Sequence, residues 1–313
     1  MPQMTPSQAR IVDPLVTELA LGYRNAAFIG TRLFPRVPVT ARAGRIPLFN
    51  RDTWRRRNTK HAPGANIPQV QVEWSSTNFS IVDRKLHGKV PVELLEEAAA
   101  VPGIDLKAQS LILVQDTIGL DVEMAAADLA RNAANYDSNH KETLATTTRW
   151  TQSTSTPIVD VQEWKAAIRR SIGVVPNVLA MGESSFYALQ NHASIVDRIK
   201  FTGSPGQQVN ERILAQLFEV DEVVVGRALS LDDADVTTDV WGKDVVLAYV
   251  PKNGTFMQPS YGYSYGLRGY PYAGQTHFQA ETDSWLVPWT DTVEPYLTGV
   301  LAGFLGINAG DAS

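Results

Sequence analysis

The chain has 313 residues, 44% hydrophobic and 19% charged, enough to bury a sizeable core in one elaborate domain or two. The formal net charge is -5, so the chain as a whole is no polyanion binder, and the absence of cysteine excludes disulfides and thiolate metal sites. The N-terminal residues are polar and the apolar stretches are broken by charge, so neither an export segment nor a membrane span is expected.

Asp13 before Pro14, with Leu15, Leu19 and Tyr23 following, predicts a short helix within 11–29. From Thr31 to Pro47 the prolines Pro35, Pro38 and Pro47 predict an extended, irregular arm that buries little surface of its own and leans on something else. Arg42 to Lys60 is strongly basic: Arg42, Arg45, Arg51, Arg55, Arg56, Arg57 and Lys60 stand against Asp52 alone. After Pro63-Gly64 the alternation of Val70, Val72 and Trp74 with Gln69, Gln71 and Glu73 predicts a strand, and Phe79, Ile81, Val90 and Val92 continue the extended pattern. Two extended legs around a Pro-Gly tip describe a long two-stranded loop.

The strongest helix signal follows Pro102-Gly103. Leu111, Val114, Ile118, Val122, Ala125, Leu129 and Tyr136 recur at helical spacing, while Asp105, Asp116, Asp121, Glu123 and Asp128 fall mostly on other faces. From Ile104 to about Asn135 such a helix is roughly 45–50 Å long at 1.5 Å per residue. Thr143 to Thr156 reads as a strand plus turn. From Pro157 the rhythm is α/β: a helix over Val159–Ser171 with Val161, Trp164 and Ile168 inward, a strand over Val174–Met181, helices over Ser184–Gln190, Ile195–Ile199 and Val209–Leu217, and strands over Glu222–Arg227 and Val245–Val250. Tyr261 to Gly274 reads as an aromatic strand with glycines for close packing, and Phe278, Trp285, Val287 and Trp289 as a closing strand.

Catalytic and metal chemistry is sparse. His61, His87, His140, His192 and His277 show no metal spacing. Gly182-Glu-Ser184-Ser-Phe186 is a partial match to a nucleophile elbow, but Phe186 stands where a small residue is wanted, so Ser184 or Ser185 is expected to cap a helix. No catalytic residue, cofactor or metal is expected.

Charge is segregated. Glu219, Asp221, Glu222, Asp232, Asp233, Asp235 and Asp239 oppose Arg227 alone within 219–239. A chain that separates its charges this way attracts copies of itself. Arg51, Arg55, Arg56, Arg57 and Lys60 are therefore expected to contact Asp116 and Glu123, or Asp232, Asp233 and Asp235, of a neighbouring copy. A nucleic-acid contact by the same run is the competing reading.

The stretches VPNVLAMGESSFYALQNHASIVDRIKF, ERILAQLFEVDEVVVGRA and VWGKDVVLAYVP, within Val175 to Pro251, resemble the axial domain of tailed-phage major capsid proteins. Pro176-Asn177, Leu189-Gln190-Asn191-His192, Val196-Asp197-Arg198-Ile199-Lys200 and Trp241 to Pro251 carry the likeness. The order of the remaining elements agrees with that family. The resemblance implies an α+β Hong Kong 97-type capsid fold: N-terminal arm 1–43, extended loop 44–92, peripheral domain with spine helix 93–156, axial domain 157–274 and a C-terminal return 275–313. It also implies hexamers and pentamers that close into an icosahedral shell around double-stranded DNA, a virion component assembled in the host bacterial cytoplasm. Scaffold, portal and maturation protease are the partners it implies, and no membrane. Some members cross-link subunits through a loop lysine, an asparagine and a glutamate. Lys60 lies in the loop, but no asparagine or glutamate here matches, so cross-linking is not expected; nor is a cleavable scaffold segment ahead of the arm. Encapsulating nanocompartment shells share the fold and are one alternative. An α/β hydrolase using Ser184 with His192 or His277 is another.

Overall fold

The computed structural model describes residues 28–48, 75–99, 105–202, 209–231, 234–252 and 258–311. Helix α1 (Gly30–Leu33) leads into β1 (Arg36–Val39) and β2 (Ala43–Leu48). Then come β3 (Ser75–Ser80), β4 (Asp83–Pro91), α2 (Val92–Ala99) and the long helix α3 (Leu106–Arg131). The middle of the chain holds β5 (Lys141–Thr143), α4 (Pro157–Ile172), β6 (Val178–Gly182), α5 (Glu183–Asn191), α6 (Ala193–Thr202), α7 (Glu211–Phe218) and β7 (Glu222–Gly226). It continues with β8 (Leu229–Leu231), β9 (Thr237–Asp239), β10 (Val245–Ala248), β11 (Gly262–Leu267), β12 (Tyr272–Ala273), β13 (His277–Gln279), β14 (Ser284–Leu297) and β15 (Gly303–Ile307).

Two sheets organise these elements. One has the order β1–β11–β14–β12, with β4 and β13 also paired to β14. The other runs β5–β15–β10–β6–β7. β5 and β15 in this second sheet lie outside 157–274, the first before α4 and the second close to the end of the chain. Short ribbons β2–β3 and β8–β9 are hydrogen-bonded to neither sheet.

Local chemistry explains the helix ends. The Asp105 carboxylate accepts from Lys107 N and Ala108 N at 3.0 and 3.1 Å, satisfying two orphan donors at the start of α3. Pro157 opens α4, and Gly173 ends it with φ 71°, a left-handed conformation that glycine adopts without steric cost. Asn210 caps α7 by accepting from Ile213 N at 3.0 Å.

α3 joins the two halves. Its Leu111, Val114 and Ile118 pack on Ala273, Val287 and Trp289 of the β14 sheet. Further along, Ala126, Ala127 and Ala130 pack with Leu33, Phe34, Val246 and Leu305 beneath the second sheet. The opposite face of that sheet buries Val161, Trp164 and Ile168 of α4, as the spacing predicts. Gly88 is what lets α3 lie on β4: a Cβ there overlaps the Ser110 side chain.

Two expectations change. The segment from Thr31 to Pro47 is not an irregular arm that leans elsewhere: it contains α1, β1 and β2, and Leu33, Phe34, Val37 and Ile46 are buried within this chain. Its prolines are tolerated because β1 is an edge strand and β2 belongs to a two-stranded ribbon, where a missing N–H costs no central ladder bond. The buried stripe of α3 also shifts after Ile118. Ala126, Ala127 and Ala130 are inside, whereas Val122, Ala125 and Leu129 are half-buried.

Candidate subunit-contact surface

The two extended stretches that flank residues 49–74 pair as β2 and β3, from Ala43↔Ser80 to Leu48↔Ser75. An ion-pair network ties this base to the body. Arg42 pairs with Asp83 at 2.5 Å, and Asp83 also accepts from Thr292 Oγ1 at 2.7 Å. Burial opposes ionisation of Asp83, but the bonds from Arg42 and Thr292 outweigh it and hold its pKa below the ordinary value. Arg84 of β4 is clamped between Asp121 of α3 at 2.5 Å and Glu294 of β14 at 2.9 Å, and donates to Val293 O. Arg36 grips Asp291 with two bonds, 2.8 and 2.6 Å.

Of the residues expected to meet a neighbouring copy, Arg51, Arg55, Arg56, Arg57, Lys60, Asp232 and Asp233 lie outside the described residues. Asp116 is half-buried on α3, has no hydrogen-bond or ion-pair partner among the described residues, and burial raises its pKa. It shares one helix face with Leu113, Thr117, Leu120 and Met124. Leu113 on that face is 68% exposed, the largest exposure among the large apolar side chains described. Asp235 is exposed near the tip of the β8–β9 hairpin, at φ 58°.

Glu123 is a correction. It is 3% exposed, and its own chain occupies its carboxylate. Oε1 accepts from Ile29 N at 2.8 Å and Trp241 Nε1 at 2.6 Å, and Oε2 accepts from Gly30 N at 2.7 Å. A carboxylate buried this way behind three donors of its own chain is not presented to an arginine of another copy. Burial pushes its pKa up, against the opposing pull of the bonds from Trp241, Ile29 and Gly30. Sequence reasoning also missed Arg84 and its partners, whose separations of 37 and 210 residues leave no local signal.

The serines do not cap α5. Its N-cap is Gly182, and Ser184 and Ser185 instead donate to Gly242 O at 3.3 Å and Lys243 O at 2.8 Å, fastening α5 to the turn before β10. His192 is engaged elsewhere: Nε2 lies 3.0 Å from Ser155 Oγ, and Nδ1 lies 2.7 Å from Ser194 Oγ. His277 stacks edge-on to His87, with ring centroids 5.9 Å apart. A surface depression of about 370 Å³ lies among Val175, Asn177, Asp221, Tyr249 and Lys252, and holds an Asp221–Lys252 ion pair at 3.0 Å. Among the described hydrogen bonds, none joins Ser184 to His192 or His277.

Residues 134–260 match the family model for phage major capsid protein E. A major capsid protein of Burkholderia phage BcepMu is 35% identical over 309 residues, covering 96% of this chain and 98% of its own. The chain belongs to the phage major capsid protein family. The fold agrees with that membership. The crystal structure of a phage-related protein from Bordetella bronchiseptica superposes with a TM-score of 0.82 at 36% identity, over 98% of this chain and 100% of the other. An encapsulin from Synechococcus elongatus shares the fold at a TM-score of 0.53 and 10% identity, covering 98% of this chain and 92% of its own. Phage major capsid proteins are a family of structural subunits of the virion shell, not an enzyme family. No helix among the described residues is long and apolar enough to cross a membrane.

Proposed function

We propose that this capsid protein adopts the Hong Kong 97-type fold and assembles through hexamers and pentamers into a closed icosahedral shell around double-stranded phage DNA. The 35% identity to a named major capsid protein over 96% of this chain is the observation that carries the reading. The arm 1–43, loop 44–92, peripheral part 93–156, axial part 157–274 and return 275–313 are its working divisions, with β5 and β15 crossing into the sheet of the axial part. A scaffold, a portal and a maturation protease attend assembly in the bacterial cytoplasm.

The segment between β2 and β3 in sequence carries Arg51, Arg55, Arg56, Arg57 and Lys60, and in this reading contacts a neighbouring copy. In this reading Arg55, Arg56 and Arg57, consecutive in sequence, meet acidic groups of the neighbouring copy. Asp116, without a partner among the described residues and partly desolvated, is the acceptor on α3, and Asp232, Asp233 and Asp235 are the second acidic group. Exposed pairs contribute about 1 kcal/mol or less each, and repetition over a shell multiplies them.

Particle contents test the reading against a nanocompartment, whose fold is shared but whose relative is only 10% identical. Particles from a productive phage infection are expected to hold double-stranded DNA. A cargo enzyme in place of DNA overturns the phage reading.

A further inference from the structure

His87 and His277 meet on one face of the first sheet. His87 of β4 stands opposite Pro288, and His277 of β13 stands opposite Leu286, so β14 runs between the two strands. Residues 286 and 288 are two apart and share one face of β14, and the residues directly opposite share that face with them. Val287 and Trp289 take the other face and pack on α3. Both imidazoles are therefore turned away from α3, and both histidines are exposed. Strands on either side of β14 lie about 10 Å apart. The two rings lean together across that gap to a centroid distance of 5.9 Å, with their planes at 87°.

Their nitrogens are available. His277 Nδ1 lies 3.4 Å from Gln275 O, a carbonyl that only accepts, so the ring proton sits on Nδ1 and Nε2 keeps its lone pair. His87 makes no hydrogen bond or ion pair among the described residues. At a metal–nitrogen distance of about 2.0–2.1 Å, two imidazoles on one ion place their centroids about 5–6.5 Å apart. The observed separation falls in that range. Among the described residues no group of three or more histidines and carboxylates is arranged to hold a metal, so water completes the coordination. Imidazole donors without a carboxylate select zinc, nickel or copper over magnesium or calcium. The charges on this face are Lys85, held 3.5 Å from Asp83, and Lys89, opposite Leu286 and without an ion pair among the described residues. Lys89 repels a cation and weakens the site.

We propose that His87 and His277 hold a zinc-class divalent cation between them and so tie β13 to β4 across β14. The site lies within one copy, so its test stands apart from the shell reading. Spacing along the chain does not show it, because the sheet brings together histidines from two distant strands. Calorimetric titration of the tag-free chain with zinc chloride, in chelator-free buffer at about pH 8, tests it. One ion per chain is expected. His87→Gln and His277→Gln, each with unchanged circular dichroism, are expected to weaken binding at least tenfold. Lys89→Gln is expected to tighten it, and His61→Gln to leave it unchanged. Zinc is expected to slow amide exchange over His277–Gln279 in the wild type and not in His87→Gln.

A wild-type chain that takes up no zinc overturns the site, as does binding that survives either substitution at full strength. Binding lost in His61→Gln assigns the ion elsewhere and overturns it too. Binding that needs both histidines but leaves exchange over His277–Gln279 unchanged supports the ion site and overturns the tie between strands.

Discussion

Glu123 and Trp241 are 118 residues apart, yet the indole N–H of Trp241 donates to the Glu123 carboxylate at 2.6 Å inside the protein. The same carboxylate receives the backbone N–H groups of Ile29 and Gly30. One side chain on α3 thus joins the start of α1, the long helix and the turn before β10. Glu123→Ala leaves three buried donors without an acceptor. Stripped donors cost about 1–3 kcal/mol each, so a loss of about 4 kcal/mol is expected in denaturant unfolding.

The Glu123 proton links this junction to pH. Burial raises the folded pKa above the ordinary 4.5, so the native protein holds the proton more tightly than the unfolded chain. The resulting stabilisation is fully present below 4.5 and is lost as pH rises through the folded value. Glu123→Gln has no such proton. The stability of wild type relative to this variant is expected to fall as pH rises across that window and to level off above it. Unfolding curves for the two proteins at stepped pH check this, and a difference that grows with pH contradicts it.

Arg84 is the second junction. Removing its guanidinium leaves Glu294, largely shielded from water, without its cation and separates β4 from α3. Arg84→Ala is expected to cost about 2–3 kcal/mol. Asp121 is 65% exposed, and Asp121→Asn is expected to cost under about 1 kcal/mol. Equal losses in the two variants rule out this division of labour.

The two faces of α3 separate folding from assembly. Ile118 is buried against the β14 sheet, and Ile118→Asp places an unpaired charge there, a loss of several kcal/mol. Leu113 points away from the core. Leu113→Ser is expected to change subunit stability by less than about 0.5 kcal/mol and to weaken assembly, measured by sedimentation of the same preparation. A soluble, assembling Ile118→Asp protein contradicts the assignment of faces.

Amide exchange distinguishes the arm expected from sequence from the one observed. Arg36 to Val39 pair in parallel with Ser264 to Leu267, and Leu33 and Phe34 beneath them are buried. Protection over 36–39 is expected to approach that of β11 in the unassembled subunit. Exchange at random-coil rates there restores the picture of an unsupported arm.

What could be read from sequence follows the physics of range. α4 declares itself because Val161, Trp164 and Ile168 repeat at helical spacing within one element, and the structure buries all three. Tyr261, Tyr263 and Tyr265 read as a packed aromatic strand for the same local reason, with Gly262 bare because the Phe34 ring fills the space of a side chain. The α1–β1 segment was obscured by its prolines, since the strand that shelters it lies near the other end of the chain. Glu123 looked like one more surface acid: nothing near it in sequence shows that two amides and an indole converge on it.

Negative-stain electron microscopy of the purified, expressed chain tests the central claim most directly. A phage capsid protein that builds its shell from copies of itself is expected to show closed particles or capsomer rings. At low salt, Arg55→Glu/Arg56→Glu/Arg57→Glu is expected to show neither while keeping its circular dichroism. A folded wild-type chain that stays a dispersed monomer under every assembly condition contradicts the claim. Intact shells from the triple variant that retain less DNA assign the arginine-rich loop to nucleic acid instead.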